Sequence, residues 1–245
     1  WFPTVYRNTY DAAQAKADVA PLQAALEGSD FGVRLGRRAS MPPHRFTVRL
    51  FHPRKAIALS DILPLAENLG LRVLSEVPFQ LQADGSVGVA LQVLRVETAD
   101  KSPVDLAEAG PRFMETLEKL WTGELENDGL NKLVLKAGLA WREVALLRSY
   151  AKYLRQAGMP FSQDYMERAL VAYPAIARGT VELFKARFDP KLGEGRQART
   201  EAVEQELATA LEGVATLDED RILRRFLNAV HCSLRTNYWH NKEWI

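Results

Sequence analysis

Residues able to do chemistry are thinly spread in this chain, and their spacing keeps them apart. Four histidines occur. His44 and His52 flank a run with strand character, and at ~3.3 Å per residue an extended strand separates them by well over ~20 Å, too far to share a metal. His231 lies in an apolar helical run and reads as a satisfied core or interface histidine. The single cysteine, Cys232, sits in the same run and reads as a small buried hydrophobe rather than a nucleophile. Gly85 with Gly88 and Gly193 with Gly195 are too sparse to cradle a phosphate, and neither G-x-G-x-x-G nor a P-loop occurs. No G-x-S-x-G nucleophile turn is present. No catalytic, cofactor-binding or metal-binding residue is therefore expected among these residues.

The bulk numbers narrow the class. The 245 residues are 47% hydrophobic and 26% charged, which suits one large globular domain or two modest ones. Lys and Arg total 32 against 31 Asp and Glu, a net charge of +1, so a nucleic-acid partner is not expected. Arg221, Arg224 and Arg225 read as the wet side of a helix. No run approaches the roughly 18 to 20 apolar residues of a membrane span, and no signal peptide is visible. One cysteine excludes an internal disulfide framework and fits a reducing, cytoplasmic setting. The chain opens on Trp1 rather than Met, as expected of a piece of a longer polypeptide.

Two textures follow along the chain. From 44 to about 97 the pattern is that of strands around one helix. Arg45–Phe51 alternates with Phe46, Val48 and Leu50 on one face. Ile62, Leu65, Ala66 and Leu69 form a helical stripe, with Asp61 as its expected N-cap and Gly70 as its left-handed exit. A second strand carries Leu71, Val73, Val77, Phe79 and Leu81 inward. Ala83-Asp84-Gly85-Ser86 reads as a turn, and Val87, Val89, Leu91 and Val93 form one side of the returning strand. The expected order is strand, helix, strand, hairpin, strand, with the helix on the sheet's apolar face.

After Glu97 the period becomes helical. Ser102-Pro103 opens a helical region with Phe113, Leu117, Leu120 and Trp121 as its stripe, and Gly110-Pro111 is expected to break or restart it. Further stripes are Leu130, Leu133, Val134 and Ala137, then Val144, Leu147, Ala151 and Leu154. Ser162 caps the next helix, and Pro174 starts another that ends at Asp189-Pro190. Lys191–Arg196 reads as a flexible break. Beyond it come Val203, Leu207 and Leu211, then a helix capped by Asp218 with Ile222, Leu223, Phe226, Val230 and Leu234. Such stripes must pack on each other, on the sheet or on a partner. The first forty residues hold a helix, Ala12–Glu27, and a polar link.

Strand-helix-strand-strand-helix resembles the ACT fold, a βαββαβ module that commonly binds amino acids in metabolic enzymes. Specific wording goes further. His44-Arg45-Phe46-Thr47-Val48-Arg49-Leu50-Phe51-His52-Pro53, then Leu59–Pro64 through Glu67–Val73, resembles the regulatory region of the large bacterial NAD-specific glutamate dehydrogenases, as does Phe2-Pro3 with Tyr6-Arg7. Asp128–Leu135, Trp141-Arg142-Glu143-Val144 through Tyr153–Gln156, and Phe188-Asp189-Pro190 resemble the same family. Ile222–Asn228 to Leu234–Tyr238 resembles the segment just before its catalytic domain.

The resemblance implies a parent enzyme that oxidatively deaminates L-glutamate to 2-oxoglutarate with NAD, as a cytoplasmic homo-oligomer. It also implies an α+β chain: an ACT-like split βαβ sheet packed with helices, followed by an all-α helical region. The expected divisions are 1–43, a helical segment and link; 44–122, the ACT-like domain; 123–190, a helical region; 191–199, a linker; and 200–245, helices leading toward a catalytic domain. Ligand-binding ACT modules usually carry a Gly in the first strand-to-helix loop. Here that loop is Pro53-Arg54-Lys55-Ala56-Ile57-Ala58, which counts against amino-acid binding, although Arg54 and Lys55 could meet a carboxylate. Arg54, Lys55 and Asp61 form the expected effector or interface set. Arg235, Asn237 and Tyr238 are the expected contact to the catalytic domain, so the remainder of the polypeptide is the expected partner. No fourth ACT strand is evident after Trp121, so it is either absent or supplied by another segment or subunit. Two functions follow: a regulatory and scaffolding segment holding no cofactor while the parent uses NAD, or an amino-acid-sensing module in its own right.

Overall fold

A computed structural model describes residues 1–27, 31–82 and 88–240. The expected Ala83–Ser86 turn lies outside the described residues. The chain divides into two compact units, Trp1–Asn127 and Asp128–Ile245.

The first unit runs α1 (Thr4–Thr9), α2 (Ala12–Glu27), β1 (Gly32–Gly36), β2 (Arg45–Pro53), α3 (Leu59–Asn68), β3 (Leu71–Leu81), β4 (Val89–Thr98) and α4 (Leu106–Trp121). The strands form one antiparallel sheet in the order β1-β2-β4-β3. In a βαββαβ module the last strand lies beside the first. Here that place is taken by β1, which precedes the module instead of closing it. The fourth strand therefore comes from within the stretch expected to be a polar link. Gly32 opens β1 because α2 crosses directly over it: a Cβ there would sit 2.2 Å from the Pro21 carbonyl oxygen.

A second correction concerns the sheet's faces. Phe46, Val48 and Leu50 share the expected face, where Phe46 meets Phe113 of α4 edge-on at 6.3 Å, and Val48 and Leu50 line a narrow void with Ile62 of α3 and Leu117 of α4. Val89, Leu91 and Val93 point the opposite way and pack with Phe51, Phe79, Leu22 of α2 and Tyr6 of α1. Both faces are thus covered by helices. Each fully buried side chain of this size adds about 1.5–3 kcal/mol relative to exposure, so two apolar faces require two helical covers. A β-bulge between Val73 and Ser75 reconciles β3 with this arrangement. It adds one residue, so Leu71 and Val73 stand on the α3/α4 side while Val77, Phe79 and Leu81 stand on the α1/α2 side.

In the first unit α3 and α4 depart from expectation. α3 begins at Leu59 with Ala58 as N-cap, so Asp61 lies within the first turn and Pro64 inside the helix. α4 is capped by Asp105, whose carboxylate accepts from the Ala107 and Glu108 amides, and it continues through Gly110-Pro111 unbroken. Phe113, Leu117 and Leu120 are buried, and their packing outweighs the hydrogen bond that Pro111 cannot make. Gly70 leaves α3 at φ +82°, as the expected left-handed exit requires.

The second unit is helical: a 3-10 turn at Gly129–Lys132, then α5 (Leu133–Lys136), α6 (Trp141–Gln156), α7 (Gln163–Ala172), α8 (Pro174–Phe188), α9 (Arg196–Leu211) and α10 (Leu217–Cys232). The expected stripes converge on one core that includes Leu130, Val144, Leu170, Phe184, Leu207 and Phe226. Ser162 caps α7 by accepting from the Tyr165 amide, but Thr216, not Asp218, caps α10. The stretch expected to be a flexible linker is a 3-10 turn, Gly193–Gly195, running straight into α9. Arg196 donates to the backbone carbonyls of Arg187 and Asp189 and ties that turn to the end of α8. α10 stops at Cys232, so Leu234, expected in the apolar stripe, is 90% exposed.

Candidate functional site

The loop between β2 and α3 holds the expected effector residues. Arg54 and Lys55 are exposed, and so is Asp61 in the first turn of α3. The loop's backbone is closely fixed. The buried Gln92 of β4 donates to the Ile57 carbonyl at 2.9 Å and accepts from the Ile57 amide at 2.7 Å. The Arg54 amide donates to the Gly88 carbonyl at 2.6 Å. Nδ1 of His52 lies 3.0 Å from the Pro53 carbonyl and 3.1 Å from that of Lys55. Arg54 adopts φ +72°, the left-handed conformation that favours glycine. The loop, which contains no glycine, thus holds an arginine in a glycine-like backbone. Gln92 lies within the alternating β4 strand, and nothing in its spacing marks it as the clamp.

The sheet face under α1 and α2 carries a buried charge cluster with no signal in the sequence. Asp18 is fully buried and accepts from the Tyr6 hydroxyl at 2.6 Å, Arg49 at 2.5 Å, Arg34 at 2.8 Å and Gln14 at 3.3 Å. Arg49 is 2% exposed, and its guanidinium lies 4.4 Å from the centre of the Tyr10 ring. Burial and the hydrogen bond to Asp18 push the Tyr6 phenol well above its ordinary value. An acid on a surface helix ordinarily reads as solvated; only the arrival of Arg49 from β2 makes Asp18 a buried hub.

The helical unit has a matching cluster. Arg148 of α6 donates to Asp128 at 2.5 and 2.9 Å and to the Asn131 side chain at 2.8 Å. Asp128 also accepts from the Leu130 amide and so caps the 3-10 turn. This explains the Asp128-Gly129-Leu130-Asn131 wording as a structural knot. Glu167 of α7 is buried beside it, and desolvation together with the Asp128 charge raises its carboxyl above the ordinary carboxylate range.

The expected contact residues at the chain's end divide. Asn237 is exposed. Tyr238 packs edge-on against Phe184 at 5.4 Å, its amide donates to Thr236, and burial raises its phenol. Arg235 lines a cavity of about 370 Å³ with Leu146, Tyr150, Tyr153 and Phe184. Cys232 lines the same cavity and is exposed, contrary to the expected buried hydrophobe; it is the last residue of α10. His231 is also exposed, 3.6 Å from a Glu204 carboxylate oxygen, rather than in the core. Among the described residues no group of three or more His, Cys, Asp or Glu is placed to hold a metal ion, and no helix is long and apolar enough to cross a membrane.

An antiparallel split-βαβ sheet followed by a helical bundle defines an ACT-type module joined to a helical region. Three family profiles match in chain order: "Glutamate dehydrogenase, ACT3 domain" over residues 30–109, "Glutamate dehydrogenase, helical motif 3" over 125–190, and "Bacterial NAD-glutamate dehydrogenase, catalytic domain" over 206–244. Similar proteins include the NAD-specific glutamate dehydrogenase of Halomonas elongata, 37% identical over 244 residues, and that of Pseudomonas aeruginosa, 36% identical over 241. That of Mycobacterium tuberculosis is 34% identical over 248 residues. These alignments cover 97–99% of the chain and 15% of each relative. The chain belongs to the bacterial NAD-specific glutamate dehydrogenase family and spans about 15% of the length of these relatives. The ACT3 match starts at residue 30 and so takes in β1. The catalytic-domain match takes in α10, which the sequence resemblance had set just ahead of that domain.

Proposed function

We propose that this chain supplies regulatory and scaffolding structure to an NAD-specific glutamate dehydrogenase and holds no reacting groups of its own. The parent reaction converts L-glutamate and NAD to 2-oxoglutarate, ammonium and NADH. The single observation carrying this is the ordered run of matches, ACT3 domain, helical motif 3 and part of a catalytic domain, in a chain spanning 15% of its relatives. In each unit the most deeply buried ion pair among the described residues, Asp18 with Arg49 and Asp128 with Arg148, ties elements of the fold together. The partners are the remainder of the polypeptide and further copies of the enzyme, in the cytoplasm.

One observation favours a second role within the same module, the sensing of an amino acid. The fixed loop presents exposed Arg54 and Lys55 beside a backbone held in the glycine-like region. A carboxylate could accept from both.

The chain incubated with glutamate and NAD is expected to form no NADH and to retain no nicotinamide on gel filtration. Turnover or tight NAD capture overturns the scaffolding proposal. Calorimetric titration with a panel of amino acids separates the two roles: heat that disappears in Arg54→Ala supports sensing, and no heat at millimolar concentration removes it.

A further inference from the structure

The end of α10 leaves a face of the helical unit open. A cavity of about 370 Å³ is walled by Leu146, Tyr150, Phe184 and Ala229 and bordered by Cys232 and Arg235. At its wall the Tyr150 hydroxyl and the Ser233 Oγ are 2.8 Å apart. Tyr153, also in the lining, is 58% exposed, and Leu234, between the lining residues Ser233 and Arg235, is 90% exposed. Arg235 is exposed at the rim. Single exposed hydrophobes are ordinary, but aromatic and aliphatic side chains gathered around a concavity with an arginine at the rim have the composition of an interface core.

Two findings name the occupant. The residues forming one wall of this cavity, Ala229 to Thr236, fall inside the match to the catalytic domain. The relatives carrying that domain are several times longer than this chain, which accounts for 15% of each. A domain's stripes are buried by the rest of the same domain.

We propose that the cavity and its rim, with Tyr153, Leu234 and Arg235, are the docking surface for the remainder of the catalytic domain of the same polypeptide. An apolar side chain fills the cavity, and an acidic group meets Arg235. This rests on the functional proposal above and adds the surface through which the helical region would bear on the catalytic domain.

Cys232 is the only cysteine in the chain and lines the cavity, so its thiol reports on cover. The test compares N-ethylmaleimide labelling of Cys232, followed by peptide mass spectrometry, in the 245-residue chain and in the full-length dehydrogenase containing it. Labelling is expected to be fast in the chain and roughly tenfold or more slower in the full-length enzyme, because a covered thiol reacts only on opening. Equal rates overturn the proposal. Slow labelling in the chain that speeds up on dilution also overturns it, since a second copy then covers the face. In the full-length enzyme Leu234→Asp is expected to restore fast labelling, whereas Arg168→Glu on α7, with its side chain 69% exposed, leaves the slow rate unchanged. Leu234 is too exposed for its substitution to unfold the unit. A full-length protein that fails to oxidise glutamate would end the functional proposal while labelling still reported on the docking surface.

Discussion

The two units bury charge in opposite ways. In the sheet unit the hub is a carboxylate: Asp18 is wholly buried and serves Tyr6, Arg34, Arg49 and Gln14 at once. In the helical unit the hub is a guanidinium: Arg148 is 4% exposed, while the side chain of its partner Asp128 is 19% exposed and reaches water. Removing a partner from a buried ion costs far more when the ion left behind cannot hydrate. The sheet unit should therefore be the more brittle, because loss of Asp18 leaves Arg49 alone in the interior, whereas loss of Arg148 leaves Asp128 near solvent.

The harshest test of the sheet unit touches no ion pair. Val89→Asp puts an unpaired carboxylate between α2 and the sheet, where Val89 is fully buried and paired in register with Pro53 and Leu81. It is expected to abolish folding of residues 1–127, since an isolated buried charge is not tolerated. Loss of amide-exchange protection along β4 measures this, and a cooperative melt with β4 still protected would mean the register is wrong.

Next in size is the contrast between hubs. Asp18→Asn is expected to destabilise by about 3–5 kcal/mol, the range for stranding one member of a buried pair. Arg148→Met should cost about 1–3 kcal/mol, the range for unsatisfied polar groups with partial access to water. Urea unfolding of each variant gives both numbers, and equal costs would dissolve the comparison.

The smallest effect depends on pH. The Glu167 carboxyl titrates above its ordinary value of 4.5 in the folded state, through burial and the Asp128 charge. The folded state then holds that proton more tightly than the unfolded one. Glu167 is therefore tolerated fully below about pH 4.5 and weakens the unit as pH rises through the raised value. Glu167→Gln should raise the melting temperature at neutral pH, with the gain shrinking to nothing as pH falls below 4.5. A gain independent of pH would mean that charge at this position is not what matters.

Legibility followed the range of the forces involved. Arg45–Phe51 and Val89–Val93 declare strands by alternation, and Ser162 and Pro174 mark helix starts, because each signal acts within a turn or a strand. β1 was missed because Gly-Val-Arg-Leu-Gly offers one apolar pair between glycines and becomes a strand only through Phe51–Thr47 opposite it. The bulge at Leu74 was invisible for the same reason: register belongs to a pair of strands. At the candidate sites Arg54 and Arg235 could be named from their surroundings in the sequence, but Gln92 and Asp18 could not.

Local periodicity and wording determined the two textures of this protein, the helices of its second half and its likeness to one dehydrogenase family. The tertiary structure alone decided that the sheet has two buried faces, that its fourth strand comes from ahead of the module, and that one aspartate anchors the N-terminal helices. Those outcomes depend on groups brought together from across the first unit, where burial changes what a charge or a pleat costs, and no window of sequence contains both partners.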